Sequence, residues 1–448
     1  MVRYNLCYAQ PSPQTSQHLC IISQKRQTKC TILETAFMNE QDLANKRVIV
    51  LAHILTTVPA QDLKEYLIKT GAKEVMFIGH PLYYKQGRPG SFFELIKNGK
   101  QTKRVQLNNW KINQFIRYFA DIVLSLYWIL TTSGRWDIII ALDNLNSLAG
   151  LLLKKLGKVE KVVYYAIDFT PQRFPNNLLN RLYHYIEKLC VSYADITWNV
   201  SPRIAEGRYK LLGMNQIRYN KQITVPIGIW LDRIKRVELE NTEPHTAIYA
   251  GSLSPHQGVQ LVVDAIPKIV VKIPDFKFIV VGMGEYEKKL KKQVKELDVE
   301  KYVEFLGYFE KHEDVENILS KCGLGLAMYS AELSKWSYYA DPSKIKSYLA
   351  CGLPVVTTNL TYIAHDIEQR RCGIVCDYNK DCLSEAIIKI ALDSGIRREF
   401  RQNAINFAKD FDWGMIFSRG INALNNVSET GQHMKIKINH PNAHTTAV

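Results

Sequence analysis

The feature that most constrains this chain is an alternation that runs twice along it. Short apolar runs rich in β-branched residues are followed by longer stretches with helical spacing. Arg47–His53, Glu74–Ile78, Trp136–Leu142, Val162–Ala166 and Ile196–Val200 read as buried strands, and Gln61–Thr70, Leu145–Leu156 and Asn177–Ser192 read as the helices between them. A second series opens at Ala247–Ala250 and continues through Lys277–Val281, Val303–Leu306, Gly323–Ala327, Pro354–Thr357 and Gly373–Val375, with helices at Val259–Lys272 and Tyr286–Leu297. Strands without polar alternation belong in parallel sheets covered by helices on both faces. The expected fold class is therefore α/β, with two doubly wound Rossmann-like domains facing each other across a cleft. A length of 448 residues, too great for one core, agrees.

Composition shifts place the boundaries. Residues 1–44 are expected to be a flexible N-terminal extension, with Met38 an alternative start. Residues 45–231 form the first domain, 232–245 a polar linker, and 246–410 the second domain. Residues 411–425 form a closing helix, and 426–448 a disordered polar tail. The extension lacks a secretory apolar core. No run reaches the roughly 18 apolar residues of a spanning helix.

Charge narrows the partners. Lys and Arg total 58 against 43 Asp and Glu, a formal charge of +15 that favours polyanions. No helix-turn-helix, RNP-like or zinc pattern accompanies it, so nucleic acid is not an expected partner. Nine scattered cysteines suit a reduced, cytoplasmic compartment. Cys372, Cys376 and Cys382 lack zinc-ligand spacing, and no metal is expected there. The stretch Lys111–Leu130 has two readings: a buried core helix, or a helix lying in the interface of an anionic membrane with Lys111 and Arg117 beside it. The second reading makes the protein peripheral at the inner face of the membrane.

Ligands of open parallel sheets sit beyond the carboxyl ends of the strands. After the first strand of the second series comes Ala250-Gly251-Ser252-Leu253-Ser254-Pro255-His256-Gln257-Gly258, small residues that let backbone amides approach a phosphate before a helix. After Lys277–Val281 comes Gly282-Met283-Gly284-Glu285, which reads either as a tight turn or as a surface open to a base or ribose. The longest pattern is Asp341-Pro342-Ser343-Lys344 through Ser347 to Gly352-Leu353-Pro354-Val355-Val356. Pro342 opens a helix and Gly352 closes it. Lys344 stands in the first turn, where the helix dipole disfavours a cation, and this suggests an anionic partner.

Together these segments resemble the GT-B glycosyltransferases of the family 4 type, the glycosyl transferases group 1. The resemblance covers roughly 45–425, and includes Val225-Pro226-Ile227-Gly228-Ile229 as the joining segment and Asp137–Gly150 as the strand and helix at the cleft. It implies transfer of a sugar, with retention, from a nucleotide-sugar donor to a saccharide or glycolipid acceptor in polysaccharide or glycolipid assembly. No cofactor is implied, because the nucleotide sugar is a substrate. The donor would lie on Gly251, Ser252, Gln257, Gly282, Gly284, Glu285, Pro342, Ser343, Lys344 and Ser347. The catalytic candidates are Asp143, His53 and Lys344, with Asp168 near the acceptor; His53 alone also reads as a structural strand-end residue.

The chain departs from the family pattern at three places. Ser252 and Gln257 replace two donor-binding cations, Ser347 replaces a ribose-binding Glu, and Leu142 replaces a cleft His. Lys344 is expected to take over the diphosphate. The alternative reading is an inactive homologue that binds sugar or scaffolds another transferase.

Overall fold

The computed structural model describes residues 43–54, 59–82, 90–108, 113–215, 219 and 221–430. The extension up to residue 42, Lys111 and the tail beyond residue 430 lie outside the described residues.

The first domain runs β1 (Arg47–Ile54), α1 (Pro59–Lys69), β2 (Glu74–Pro81), β3 (Phe92–Lys97), β4 (Lys100–Gln106), α2 (Gln114–Leu130), β5 (Trp136–Leu142), α3 (Asn144–Lys155), β6 (Val159–Ala166), α4 (Asn177–Tyr193), β7 (Ile196–Asn199), α5 (Pro202–Leu212) and β8 (Gln222–Thr224). Its sheet has the order β4-β3-β2-β1-β5-β6-β7-β8. The expected parallel core is present, but β3 and β4 add an antiparallel hairpin at one edge. The hairpin turns on Asn98-Gly99, both with positive φ (47° and 75°), the conformation that two-residue turns between twisted strands require.

The second domain runs β9 (Glu243–Ala250), α6 (Val259–Val270), β10 (Lys277–Val281), α7 (Glu287–Glu296), β11 (Val303–Gly307), α8 (His312–Leu319), β12 (Cys322–Ala327), α9 (Ser343–Cys351), β13 (Val355–Thr358), α10 (Ala364–Gln369), β14 (Gly373–Cys376), α11 (Lys380–Leu392), α12 (Ser394–Ala408) and α13 (Trp413–Thr430). Its sheet is wholly parallel in the order β11-β10-β9-β12-β13-β14. The molecule thus has two α/β domains, each built on a largely parallel sheet. β9 begins at Glu243, inside the stretch read as linker, because Glu243 N–H bonds to Lys321 O and extends the pairing with β12. α13 continues to Thr430 and returns to the first domain, where Phe417 meets Tyr66 at 5.4 Å and stacks on Trp413 at 4.5 Å.

The joining segment is fastened to the second domain by a buried ion pair. Asp341 and Lys346 lie 2.6 Å apart; Asp341 accepts from Ile227 N–H and Lys346 donates to Ile227 O. Such a pair is costly to break, since each charge would be left buried and alone.

Helix α2 buries polar side chains along most of its length and apolar ones, Trp128 and Ile129, at its C-terminal end. Arg117, Asp121 and Ser125 are buried, whereas Phe115, Ile116, Phe119, Val123 and Tyr127 are exposed. The reading as a buried core helix therefore holds for its C-terminal end, around Trp128 and Ile129, and not for the exposed apolar face. The buried side is occupied by hydrogen bonds: His80 Nε2 with Ser125 Oγ at 2.8 Å, and Ser91 Oγ donating to Asp121 Oδ1 at 3.2 Å.

Candidate functional site

Strand order decides what meets at the cleft. β1 and β5 are parallel neighbours with Ala52 opposite Leu142, so the next residues, His53 and Asp143, emerge side by side at the carboxyl edge. His53 Nδ1 lies 2.7 Å from Asp143 Oδ2, and its Nε2 lies 3.5 Å from Asp121 Oδ2. Burial alone would push the imidazole down, but the Asp143 and Asp121 carboxylates outweigh it and hold His53 up at about 10. Burial would likewise raise Asp121, and the imidazoles of His53 and His80, 3.5 Å and 3.3 Å from its oxygens, reverse this and hold it below the usual carboxylate range. At neutral pH His53 is thus an imidazolium, a fixed hydrogen-bond donor and not a base.

Asp143 caps α3, with Oδ1 accepting from Asn146 N–H at 2.9 Å. Its backbone has φ 85° and ψ 164°, a region that costs a non-glycine residue about 1–3 kcal/mol. His53 and Asp143 line a cavity of about 200 Å³ with Tyr118, Asp168, Arg173 and Tyr183. Arg173 donates to Asp168 at 3.2 Å.

Across the cleft lies a second cavity, of about 440 Å³. Its lining includes Gly251, Ser252, Gln257, Pro342, Ser343 and Lys344, six of the ten expected donor residues, brought together from the loop after β9 and the start of α9. Ile167 and Asp168 line both cavities and so mark where they meet.

Lys344 Nζ donates to Tyr249 Oη at 2.9 Å and to Gln257 Oε1, and sits 4.1 Å over the Tyr249 ring. Among the described residues it makes no ion pair with a carboxylate. Burial pushes its ammonium down to about 7. A cation held among neutral partners is a receptor for an anion.

Other expectations need correction. Gly251 N–H was expected to face the diphosphate, but it donates to Val281 O at 2.9 Å; Ser252 N–H makes no backbone bond among the described residues and remains suited to that role. Gly282, Gly284 and Glu285 do not line the donor cavity. A Cβ on Gly282 would stand 1.8 Å from Gly251 O, and one on Gly284 2.0 Å from Leu253 O. Both glycines therefore admit the neighbouring loop rather than a ligand. Ser347 lines a third cavity, of about 610 Å³, which shares Ser343 with the donor cavity.

Several lining residues escaped the sequence reading. Tyr329, two residues past the strand read at Gly323–Ala327, lines the donor cavity, and its ring and that of Tyr249 both flank Lys344. His256 lies inside the quoted loop, and burial together with Lys344 keeps it below its ordinary value. Arg173 and Tyr183 belong to a loop and a helix with no motif around them.

Residues 232–407 match the family described as glycosyl transferases group 1. The second domain is a glycosyl transferases group 1 domain. This group 1 domain and the first domain together resemble sucrose-phosphate synthase from Thermosynechococcus elongatus, with a TM-score of 0.66 and 14% identity over 87% of this chain and 100% of that one, which shows the fold. An uncharacterized glycosyltransferase of Methanocaldococcus jannaschii is 22% identical over 225 residues, 48% of this chain and 57% of the relative. A GDP-mannose-dependent monoacylated alpha-(1-6)-phosphatidylinositol monomannoside mannosyltransferase of Corynebacterium glutamicum is 26% identical over 178 residues, 37% of this chain and 42% of the relative. The chain spans about half the length of these curated relatives.

Proposed function

We propose that the protein is a glycosyltransferase that moves a sugar from a nucleotide-sugar donor to a saccharide or lipid-linked acceptor, with retention. The observation that carries this reading is Lys344: a buried cation without a carboxylate, in the first turn of α9 of the group 1 domain, facing a cavity that meets the His53–Asp143 cavity at Asp168. The sugar–phosphate bond breaks as the acceptor oxygen bonds to the anomeric carbon, and the acceptor proton passes to the leaving diphosphate. Lys344, Ser252 N–H and the N-terminus of α9 stabilise the charge on that leaving group. His53 and Asp143 hold the sugar and acceptor hydroxyls.

The test is thermal unfolding with UDP, GDP and ADP and their glucose or mannose derivatives. A ligand that binds the folded state raises the transition by mass action. One nucleotide class should stabilise the protein, and Lys344→Ala should abolish the shift. No stabilisation by any of them defeats the reading. Binding without turnover of the sugar derivatives would instead favour the scaffold alternative.

The outward face of the first domain supports a membrane-bound acceptor. Beside the exposed side chains of α2, Leu178, Leu182 and Tyr185 of α4 are exposed, with α3 packed between the two helices. The carboxylates of α2 and α4, Asp121 and Glu187, are both buried, while Lys155 and Arg181 are exposed. An apolar face with two exposed cations, Lys155 and Arg181, and no exposed carboxylate on its three helices suits the interface of an anionic bilayer. Arg117 is buried and does not contribute the positive charge expected of it. No helix among the described residues is long and apolar enough to cross a membrane. The face adjoins the acceptor cavity, since Phe115 meets Phe174 at 5.9 Å and Phe174 lines that cavity. Co-sedimentation with phosphatidylglycerol vesicles at low salt should occur and fall about tenfold in Phe119→Asp, on the scale of one fully buried aromatic side chain. Equal partitioning of both proteins would remove the membrane from the proposal.

A further inference from the structure

Helix α2 supplies a carboxylate that stands behind the acceptor cavity without lining it. Asp121 is buried, and its Oδ2 lies 3.5 Å from His53 Nε2. Neither atom has a hydrogen-bond partner among the described residues. Burying two such atoms costs free energy, which their mutual attraction offsets. The other oxygen of Asp121 faces neutral groups. Ser91 Oγ donates to Oδ1 at 3.2 Å, and His80 Nδ1 stands 3.3 Å from it. Burial keeps the His80 ring below its ordinary value, and so neutral at pH 7. The cation that Asp121 faces is His53.

The protons around His53 are fixed by its neighbours. Asn146 Nδ2 donates to Leu142 O at 3.0 Å and to Asp143 Oδ2 at 2.8 Å, which uses both of its hydrogens and leaves none for His53 Nδ1 at 3.1 Å. His53 Nδ1 therefore carries its own proton and donates it to Asp143 Oδ2 at 2.7 Å. Nε2 carries a second proton toward Asp121. Neither N–H is left for a sugar, so the hold of this pair on a hydroxyl runs through Asp143. An ionised carboxylate has about four acceptor sites. On Asp143, His53 and Asn146 Nδ2 occupy Oδ2, and Asn146 N–H occupies one site of Oδ1. The remaining site on Oδ1 belongs to a side chain that lines the acceptor cavity. The titratable groups facing His53 are Asp143 at the start of α3, Asp121 and Tyr118 of α2, and His80 of β2. A ring with one proton could turn its lone pair to Asp143 and push that carboxylate away. The second proton, held by Asp121, excludes that tautomer.

We propose that Asp121 is a positioning residue for transfer: through His53 it fixes Asp143, whose open site takes a hydroxyl of the acceptor next to the attacking one. The inference rests on the transfer reading above. The attacking hydroxyl keeps its proton for the leaving diphosphate, and Asp143 orients the sugar that carries it.

The first measurement is NMR of the full chain labelled with ¹³Cε1-histidine, with the His53 signal identified by its absence from His53→Gln. In the wild type this signal should titrate at about pH 10. Asp121→Asn should lower the midpoint by about 1 pH unit or more, the scale of one nearby opposite charge. The second measurement is nucleotide release from UDP-glucose, GDP-mannose and ADP-glucose in the presence of octyl α-mannoside or octyl β-glucoside. At each pH, Asp121→Asn should leave the KM of the reacting nucleotide sugar unchanged. Its KM for the glycoside should match the wild type's at pH 6 and rise up to about tenfold above it as pH passes the lowered midpoint, the scale of a hydrogen bond to a charged group. In the His53→Gln background the same substitution should add nothing. Should Asp121→Asn not fold, Asp121→Ser takes its place with the same expectations. An unmoved His53 midpoint, or a glycoside KM that follows the wild type at every pH, overturns the proposal and leaves the transfer reading standing. A wild type that binds a nucleotide but transfers its sugar to neither glycoside overturns both.

Discussion

The two sides of the cleft each hold a buried cation, and they treat it in opposite ways. In the first domain His53 lies between Asp143 and Asp121, and the pairing keeps it charged far above neutrality. In the group 1 domain Lys344 has only a phenol and an amide oxygen for partners, and burial draws its ammonium down to about 7. A compensated cation is finished: it orients neighbours and does not seek an anion. An uncompensated one is poised to bind one. The same contrast explains why a donor site remains credible with Ser252 and Gln257 in place of two cations. Fewer charges are present, but the one that stays is not neutralised by the protein.

The sharpest way to break the contrast is to make the second side resemble the first. Gln257→Glu would put a carboxylate on Lys344 Nζ, because the Gln257 oxygen already accepts from it. An incoming diphosphate would then meet a neutralised lysine and a like charge, a penalty of several kcal/mol. Nucleotide affinity should fall about 100-fold or more by calorimetry, with thermal stability of the free protein unchanged or raised. An unaltered affinity would mean that Lys344 is not the anion's anchor.

Much of this arrangement was legible in the sequence, and the misses have physical causes. The parallel strands declared themselves as unbroken apolar runs, and Gly352 and Pro342 marked the ends of α9 at once. The hairpin at Asn98-Gly99 carried a strong turn signal, but its second strand, Lys100–Gln106, is exposed along nearly all its length and has no apolar alternation to find. Helix α2 misled because apolar periodicity identifies a face without saying which way it points. Here buried His80 and His53 require polar partners, and so the apolar side was left outside. The sequence offers His53 and Asp143 as separate catalytic candidates, but not as a contacting pair. Ninety residues separate the two positions, and only the adjacency of β1 and β5 joins them. Gly282 and Gly284 looked like ligand glycines for a related reason: the atoms they make room for belong to another loop, not to their own segment.

The pH dependence of stability probes the first side. The folded state raises His53 from an ordinary 6.5 to about 10. The stabilisation from its charge is fully present below pH 6.5 and is lost as pH rises toward 10. With at most about 1.4 kcal/mol per pH unit available, urea unfolding should show a decline of about 2 kcal/mol between pH 7 and pH 9. His53→Gln should be less stable at pH 7, and its stability should change little over the same interval. Parallel curves for the two proteins would show that the carboxylates do not hold the imidazolium as the geometry requires.

The second side should titrate in binding rather than in folding. Lys344 in the free protein loses its proton as pH rises through about 7, whereas the complex with a diphosphate keeps it protonated. Binding then takes up a proton, and the apparent dissociation constant grows in proportion to the fraction of free protein that must first be protonated. From pH 7 to pH 8 affinity should weaken about fivefold, with proton uptake measurable from the buffer dependence of the binding enthalpy. Lys344→Arg keeps a cation that does not titrate in this range, so its affinity should stay level across the interval. If both proteins weaken together, the titrating group is not Lys344, and His256, which faces the same cavity, becomes the group to replace.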